Sequence, residues 1–102
     1  LKRSMSFFLS FTPGTKQDLK ELKKSAHSEK RFKAVSKALK LLADNPHHPG
    51  LQTHPYTSLC GPNGKKVFEA YAEQNTPAAH RIFFYYGKVR GEIVVFAITP
   101  HP

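Results

Sequence analysis

Apolar residues alternate with mostly polar ones near the start of the chain, a pattern typical of a β-strand with one buried face. Phe7, Leu9 and Phe11 recur at every second position. A period of two places these side chains on one side of an extended backbone. The pattern therefore predicts a strand at this point.

Two helices are predicted after this strand. The Pro-Gly pair at 13–14 breaks the strand, and Thr15, followed three residues later by Asp18, resembles a capping box that opens a helix. A second helix is predicted from about Ser28 until the Asp-Asn-Pro sequence at 44–46. Its apolar stripe consists of Phe32, Val35, Leu39 and Leu42. The lysines of both helices fall outside this stripe, which indicates a helix hairpin with a basic outer side.

The second half of the chain predicts a meander of strands. Residues 46–64 have neither the helix nor the strand period, and we expect an irregular connection there. Three strand-like runs follow at 66–73, 80–86 and 92–99, and the last is apolar on both sides, as in a central strand. The first strand is expected to join the same sheet. The predicted fold is α+β, in the order β-α-α-β-β-β, with the helix hairpin packed on one face of a mainly antiparallel sheet.

Length and composition indicate one domain. The chain has 102 residues, enough for a single core but not for two. Met5 is a candidate natural start, so we expect a domain over 5–102 and an upstream extension or cloning remnant at 1–4. Cys60 is the only cysteine, which excludes an intrachain disulfide and favours a reducing cytoplasm. No run approaches the ~20 apolar residues of a membrane span.

The net charge of the chain favours a protein that binds polyanions over an α+β domain of no particular function. Sixteen Lys and Arg residues stand against seven Asp and Glu residues, a formal net charge of +9. Such a field attracts nucleic acid, the ribosome or an acidic protein. The alternative is a protein whose basic surface serves solubility alone.

Arg81 is an unusual residue for its position, because it lies within an apolar strand-like run. A guanidinium there requires either an open sheet face that meets an anion or an internal partner. Arginine suits phosphate, since its planar fork donates two hydrogen bonds and its charge is permanent. The alternative is a salt bridge to Glu69 or Glu73 on the neighbouring strand.

Other residues could supply the groups that cleave RNA. Cleavage without a metal needs a base for the 2′-hydroxyl, cations for the phosphate and an acid for the leaving oxygen. The chain offers His54 and His101 for proton transfer, and Arg81, Lys65 and Lys66 as cations. His54 and His101 remain alternatives for the acid.

Alternation along one strand sorts further candidates between the two sheet faces. Arg81, Phe83 and Tyr85 share a face, and His80 points to the other, so His80 is not expected in the site of Arg81. With Tyr71, Tyr85 could stack RNA bases. For Phe83 the competing interpretation is burial in the core.

No metal or cofactor is expected. The histidines at 47, 48 and 54 and the single cysteine do not match a recognised zinc-ligand spacing. Glycine-rich phosphate loops, nucleophile elbows and paired-carboxylate signatures do not occur.

The predicted element order, the basic helix hairpin, and the sequences HRIFFYY and GEIVVFAITPHP resemble the RelE/ParE toxin superfamily of toxin-antitoxin systems. The resemblance covers nearly the whole chain from Phe7. It implies a ribosome-dependent mRNA endonuclease that inhibits translation without a metal. Arg81 would stabilise the phosphate, His101 would transfer a proton, and Glu69 would act as a base or orient the arginine. Lys65 or Lys66 would hold the RNA.

Two departures from the family pattern leave alternatives open. Tyr71 stands where a related branch often has arginine, and SLCGPNGKK replaces the usual lysine-glycine pair. A ParE-like inhibitor of DNA gyrase, or a non-catalytic nucleic-acid-binding module, is therefore a second candidate. The expected partners are a cognate antitoxin, the ribosome and mRNA. The working expectation for the free protein is a monomer that does not bind membranes.

Overall fold

In the computed structural model, which describes residues 6–100, the chain forms five strands and two helices. In chain order they are β1 (Phe8–Phe11), α1 (Pro13–Lys24), α2 (Glu29–Asp44), β2 (His54–Cys60), β3 (Lys66–Tyr71), β4 (His80–Tyr86) and β5 (Glu92–Pro100). Single 3₁₀ turns lie at Ala26–Ser28, Pro49–Leu51 and Pro62–Gly64. No helix within this part of the chain is both long and apolar enough to span a membrane.

The strands form one sheet in the order β1-β5-β4-β3-β2. β1 runs parallel to β5, and every other neighbouring pair is antiparallel. The α+β class, the mainly antiparallel sheet and the meander of β3, β4 and β5 are confirmed. The prediction of a central position for the last strand is also confirmed, because β5 lies between β1 and β4.

The irregular connection predicted for 46–64 is wrong in part, because it contains the edge strand β2. His54 pairs with Glu69, and the register shifts between Pro55 and Cys60. Most side chains of β2 are exposed on both sides, so burial imposes no period of two on its sequence. Pro55 is tolerated because an edge strand does not need every N–H for pairing.

Helix α1 begins earlier than predicted. Its N-cap is Thr12, whose Oγ1 accepts a hydrogen bond from the backbone N–H of Thr15 at 3.4 Å. Pro13 occupies the first helical turn, where a missing N–H costs nothing. The predicted start at Thr15 is therefore wrong. The predicted limits of α2 are confirmed, with Ser28 and Asn45 as its caps.

Both helices pack on one face of the sheet, here called the helix face, and the core lies between them. Val35 and Leu42 of α2 contact a layer that includes Ile82, Phe84 and Ile93, all fully buried. The predicted helix hairpin is confirmed. Among residues 6–100, no helix covers the opposite side of the sheet, which is called the open face.

A β-bulge sorts the side chains of β5 between the two faces. Phe83 pairs with Ala97 and Phe84 pairs with Val95, so Phe96 is an extra residue on β5. A bulge of this kind lets one side chain leave the regular alternation. Phe96 therefore lies on the open face, where its ring centroid is 6.4 Å from that of Phe83.

Candidate functional site

Three strands bring four of the predicted site residues together at one end of the open face, here called the charged end. His54 of β2 lies opposite Glu69 of β3, and Tyr71 of β3 lies opposite Arg81 of β4. Because each pair is in register, the four side chains form one cluster.

Glu69 is the buried centre of the charged end. Only 1% of its side chain is exposed, which is costly for a carboxylate unless charged or hydrogen-bonding groups surround it. Its Oε1 lies 2.9 Å from His54 Nε2, and its Oε2 lies 3.7 Å from Arg81 Nε. The carboxylate is thus held between an imidazole and a guanidinium.

Besides the Glu69 carboxylate, Arg81 contacts an aromatic ring and a backbone carbonyl. Its Cζ lies 3.8 Å from the centroid of the Tyr71 ring, a cation–π arrangement. Its Nη1 donates a hydrogen bond to the backbone carbonyl of Glu73 at 2.9 Å. Its Nε is buried and has no hydrogen-bond partner among residues 6–100. The salt-bridge alternative therefore holds for the Glu69 side chain, whereas Glu73 contributes its backbone oxygen.

His54 has both ring nitrogens engaged. Nδ1 lies 2.7 Å from the carbonyl oxygen of Gln52, and because a carbonyl only accepts, Nδ1 carries the proton. Nε2 lies 2.9 Å from Oε1 of the Glu69 carboxylate. His54 is 43% exposed, but proton transfer to an outside group requires one of these two contacts to break.

A second ionic cluster lies beside the charged end. Arg31 Nε and the backbone N–H of His80 both donate to Glu73 Oε1, at 2.7 and 2.9 Å. Burial by itself raises the pKa of Glu73, but these donors outweigh it and hold the pKa below its ordinary value. The His80 ring contacts the carbonyl of Ala78 through Nδ1 at 2.9 Å, which agrees with the prediction that it does not join the cluster of Arg81.

The other end of the open face, here called the aromatic end, contains Tyr85 and Phe96. Tyr85 lies four residues along β4 from Arg81, about 13 Å at the rise of a strand. Its ring centroid is 5.8 Å from that of Phe96, with the planes 31° apart. A cleft of about 250 Å³ adjoins the pair, and its lining consists of Cys60, Gly61, Pro62, Tyr85 and Phe96.

The structure thus brings only some of the predicted site residues together. Arg81, Glu69, His54 and Tyr71 come together at the charged end. Tyr85 and Lys65 lie at the aromatic end, while Lys66, two residues before the core residue Phe68, is exposed at the helix side of β3. His101 lies outside the described residues.

Sequence reasoning missed Phe96 and Arg31. A period of two relates Phe96 both to Val94 on the open face and to Ile98, which is buried against the helices, and no sequence signal marks the bulge that decides between them. Arg31 and Glu73 are 42 residues apart in the sequence. Charge patterns along one helix predict only contacts within that helix, so they could not predict this pair. Within residues 6–100, no three His, Cys, Asp or Glu side chains are grouped so that they could hold a metal ion.

Comparison with known proteins gives a match in structure but none in sequence. Neither a protein-family model nor a curated protein sequence matches the chain. The archaeal RelE-RelB complex from Pyrococcus horikoshii OT3 contains a chain that is similar with a TM-score of 0.64 at 11% identity, over 94% of this chain and 96% of that one. The YoeB/ParE toxin from Agrobacterium tumefaciens is similar with a TM-score of 0.66 at 12% identity, over 92% of this chain and 98% of that one. The chain therefore has the RelE/ParE toxin fold, as the resemblance in sequence predicted.

Proposed function

We propose that this protein is the toxin of a toxin-antitoxin pair and acts in the cytoplasm as a ribosome-dependent mRNA endonuclease that needs no metal. The fold likeness to a RelE chain and to a YoeB/ParE toxin supports the toxin class. The observation that carries the RNA target is the geometry of Arg81. Its guanidinium carbon lies 3.8 Å from the centroid of an aromatic ring and beside a buried carboxylate, on the open face.

In this proposal Arg81 binds the scissile phosphate. Its Nη1 and Nε are directed towards protein groups, so these contacts fix the orientation of the fork before RNA arrives. A cation fixed in advance stabilises developing negative charge without a reorganisation cost. Glu69, at 1% exposure, fits the role of an orienter of Arg81 better than that of a base.

Proton transfer is assigned to the histidines. His54 lies within the charged end and, in this proposal, transfers a proton once its contact with Glu69 breaks. His101 is the second candidate and follows directly after β5. Tyr71 supports the guanidinium, and Lys65 and Lys66 hold the RNA backbone at the far end of the sheet.

The test is cleavage of mRNA on programmed ribosomes, with 5′ ends mapped by primer extension. We expect cleavage by the wild-type protein and a loss of about 100-fold or more in Arg81→Ala, the usual cost of one transition-state donor. Arg81→Lys retains the charge but not the fork, and should fall between the two.

Lys33→Ala is the matched control, because Lys33 is 76% exposed on the outer side of α2 and its loss changes the net charge equally. Circular dichroism verifies that each variant is folded. If the wild-type protein leaves mRNA intact, the endonuclease proposal is wrong. If Arg81→Ala cleaves at the wild-type rate, the assigned role of Arg81 is wrong.

A non-catalytic toxin of the gyrase-inhibitor type is the second candidate. One observation favours it: both ring nitrogens of His54 are engaged, and Glu69 is buried. The two proton-transfer groups at the charged end are therefore occupied within the protein. A supercoiling assay with DNA gyrase separates the candidates, since inhibition without mRNA cleavage selects this one.

We also propose a cognate antitoxin as partner, as in the RelE-RelB complex of P. horikoshii. The net charge of +9 favours an acidic segment in that partner. Growth arrest on expression, relieved by an adjacent acidic gene product, tests the pairing.

A further inference from the structure

We propose that the aromatic end of the open face is a second RNA subsite, which stacks an unpaired base on Phe96 and Tyr85. The proposal rests on RNA as the target and adds a place for a nucleotide other than the one at Arg81. Aromatic side chains bind single-stranded nucleic acid through base stacking, while nearby cations follow the backbone.

The bulge in β5 is the first observation for this subsite. Val95 and Ile98 both face the helices, so the two residues between them, Phe96 and Ala97, both lie on the open face. The bulge brings Phe96 next to Tyr85 and leaves both rings partly exposed. Bulges near functional sites commonly redirect a side chain in this way.

The second observation is the open cleft beside the rings. Gly61 borders it, and a Cβ added there would lie 3.3 Å from Cδ2 of Tyr85 and 3.2 Å from Cβ of Lys65. The absence of a side chain at this position lets the Tyr85 ring approach the backbone closely. The cleft, at about 250 Å³, offers partial enclosure for a flat group that lies on the ring pair.

Charge is the third observation, and it selects a polyanion as the occupant. Lys65 directly precedes β3, and Lys88 and Arg90 lie in the β4–β5 loop at the same end of the sheet. The nearby acid Glu92 is engaged within the protein, where Ser10 Oγ donates to its Oε2 at 2.7 Å. Three cations at the same end of the sheet as two aromatic rings fit a nucleic-acid strand better than an apolar partner.

The separation of the two ends fixes what the subsite recognises. Tyr85 lies about 13 Å along β4 from Arg81, so the dinucleotide that spans a scissile phosphate is too short to fill both ends. The subsite therefore takes a base further along the same strand, and it contributes affinity only for a longer RNA.

The experiment measures the binding of two non-cleavable 2′-O-methyl RNAs by fluorescence anisotropy. One is a hexanucleotide, called the hexamer, and the other is a dinucleotide, called the dimer. Phe96→Leu and Tyr85→Leu should each weaken hexamer binding roughly 5- to 150-fold, the range for loss of one stacked base. Dimer binding should remain at the wild-type level. Phe32→Leu, the same change in the helix layer, is the matched control for altered packing and should bind both RNAs normally.

Cys60 supplies an independent readout on the unmodified protein, since it is exposed and borders the cleft. The hexamer, but not the dimer, should slow alkylation of its thiol. Three outcomes would overturn the subsite. The hexamer RNA could bind wild-type protein and Phe96→Leu with equal affinity, it could fail to bind at all, or Phe96→Leu could alter only the self-association of the protein. These binding results do not depend on cleavage, so an inactive but RNA-binding protein would reject the endonuclease and retain the subsite.

Discussion

The two faces of the sheet differ in what holds them together. On β4, Ile82 and Phe84 point to the helix face and are fully buried in an apolar core. Their neighbours Arg81 and Tyr85 point to the open face, where Arg81 contacts a carboxylate and a ring. One strand therefore serves a face where apolar burial suffices and a face where charges are partly withdrawn from water.

The difference bears on which face stabilises the fold and which face serves the proposed function. Burial of apolar side chains stabilises a fold at about 25 cal/mol per Å², whereas a buried ion pair is often no better than an apolar replacement. Glu69 and Arg81 are thus difficult to explain by folding alone. Their arrangement supports the proposal that Arg81 binds a phosphate.

The largest expected effect is on the helix face. Phe84→Ala removes a fully buried ring and should lower the free energy of unfolding by about 4 kcal/mol, through lost transfer energy and a cavity. Tyr85→Ala, one residue further on the open face, should cost less than half as much because Tyr85 is partly exposed. Urea denaturation measures both. Equal losses would mean that the open face is packed as tightly as the core.

The next effect separates stability from function within the charged end. Arg81→Met removes the guanidinium beside the buried Glu69 carboxylate and should cost about 3 kcal/mol of unfolding free energy, as for a broken buried pair. The double variant Arg81→Met/Glu69→Met should recover to within about 1 kcal/mol of wild type, yet bind no RNA at this end.

A double-mutant cycle from urea denaturation gives the coupling, with Arg90→Met as the control for an exposed arginine. A double variant as unstable as Arg81→Met would show that the charged cluster stabilises the fold. The open face would then no longer differ from the helix face in this respect.

The helix face could be read from the sequence more fully than the open face. The stripe of Val35 and Leu42 and the alternation of β4 follow from local periods, because burial on one side dictates them. The strand β2 and the bulge at Phe96 do not, since pairing at an edge and an extra residue leave no period. Arg81 was recognisable as a charge in an apolar strand, but its stacking on Tyr71 depends on the register between β3 and β4.

A smaller effect tests the aromatic support of Arg81. Tyr71→Leu removes the ring that lies 3.8 Å from the guanidinium and should lower the unfolding free energy by about 1 kcal/mol, the scale of a partly desolvated cation–π contact. Tyr71→Phe keeps the ring and should match wild type. The two variants are compared by urea denaturation, and a loss in Tyr71→Phe as large as in Tyr71→Leu would assign the effect to the hydroxyl instead.

The smallest effect concerns Glu73, which joins α2 to the end of β4 through Arg31 and His80. Its pKa in the folded protein lies below the ordinary value of 4.5, so its ionised form stabilises the fold. That contribution is fully present above pH 4.5 and is lost as the pH falls through the lowered pKa. Glu73→Gln should therefore flatten the pH dependence of unfolding free energy in this acid range, measured by urea denaturation at a series of pH values. Glu29→Gln, at an exposed site on α2, is the control and should leave the slope unchanged. An unaltered slope in Glu73→Gln would show that the contact between Arg31 and Glu73 does not stabilise the fold.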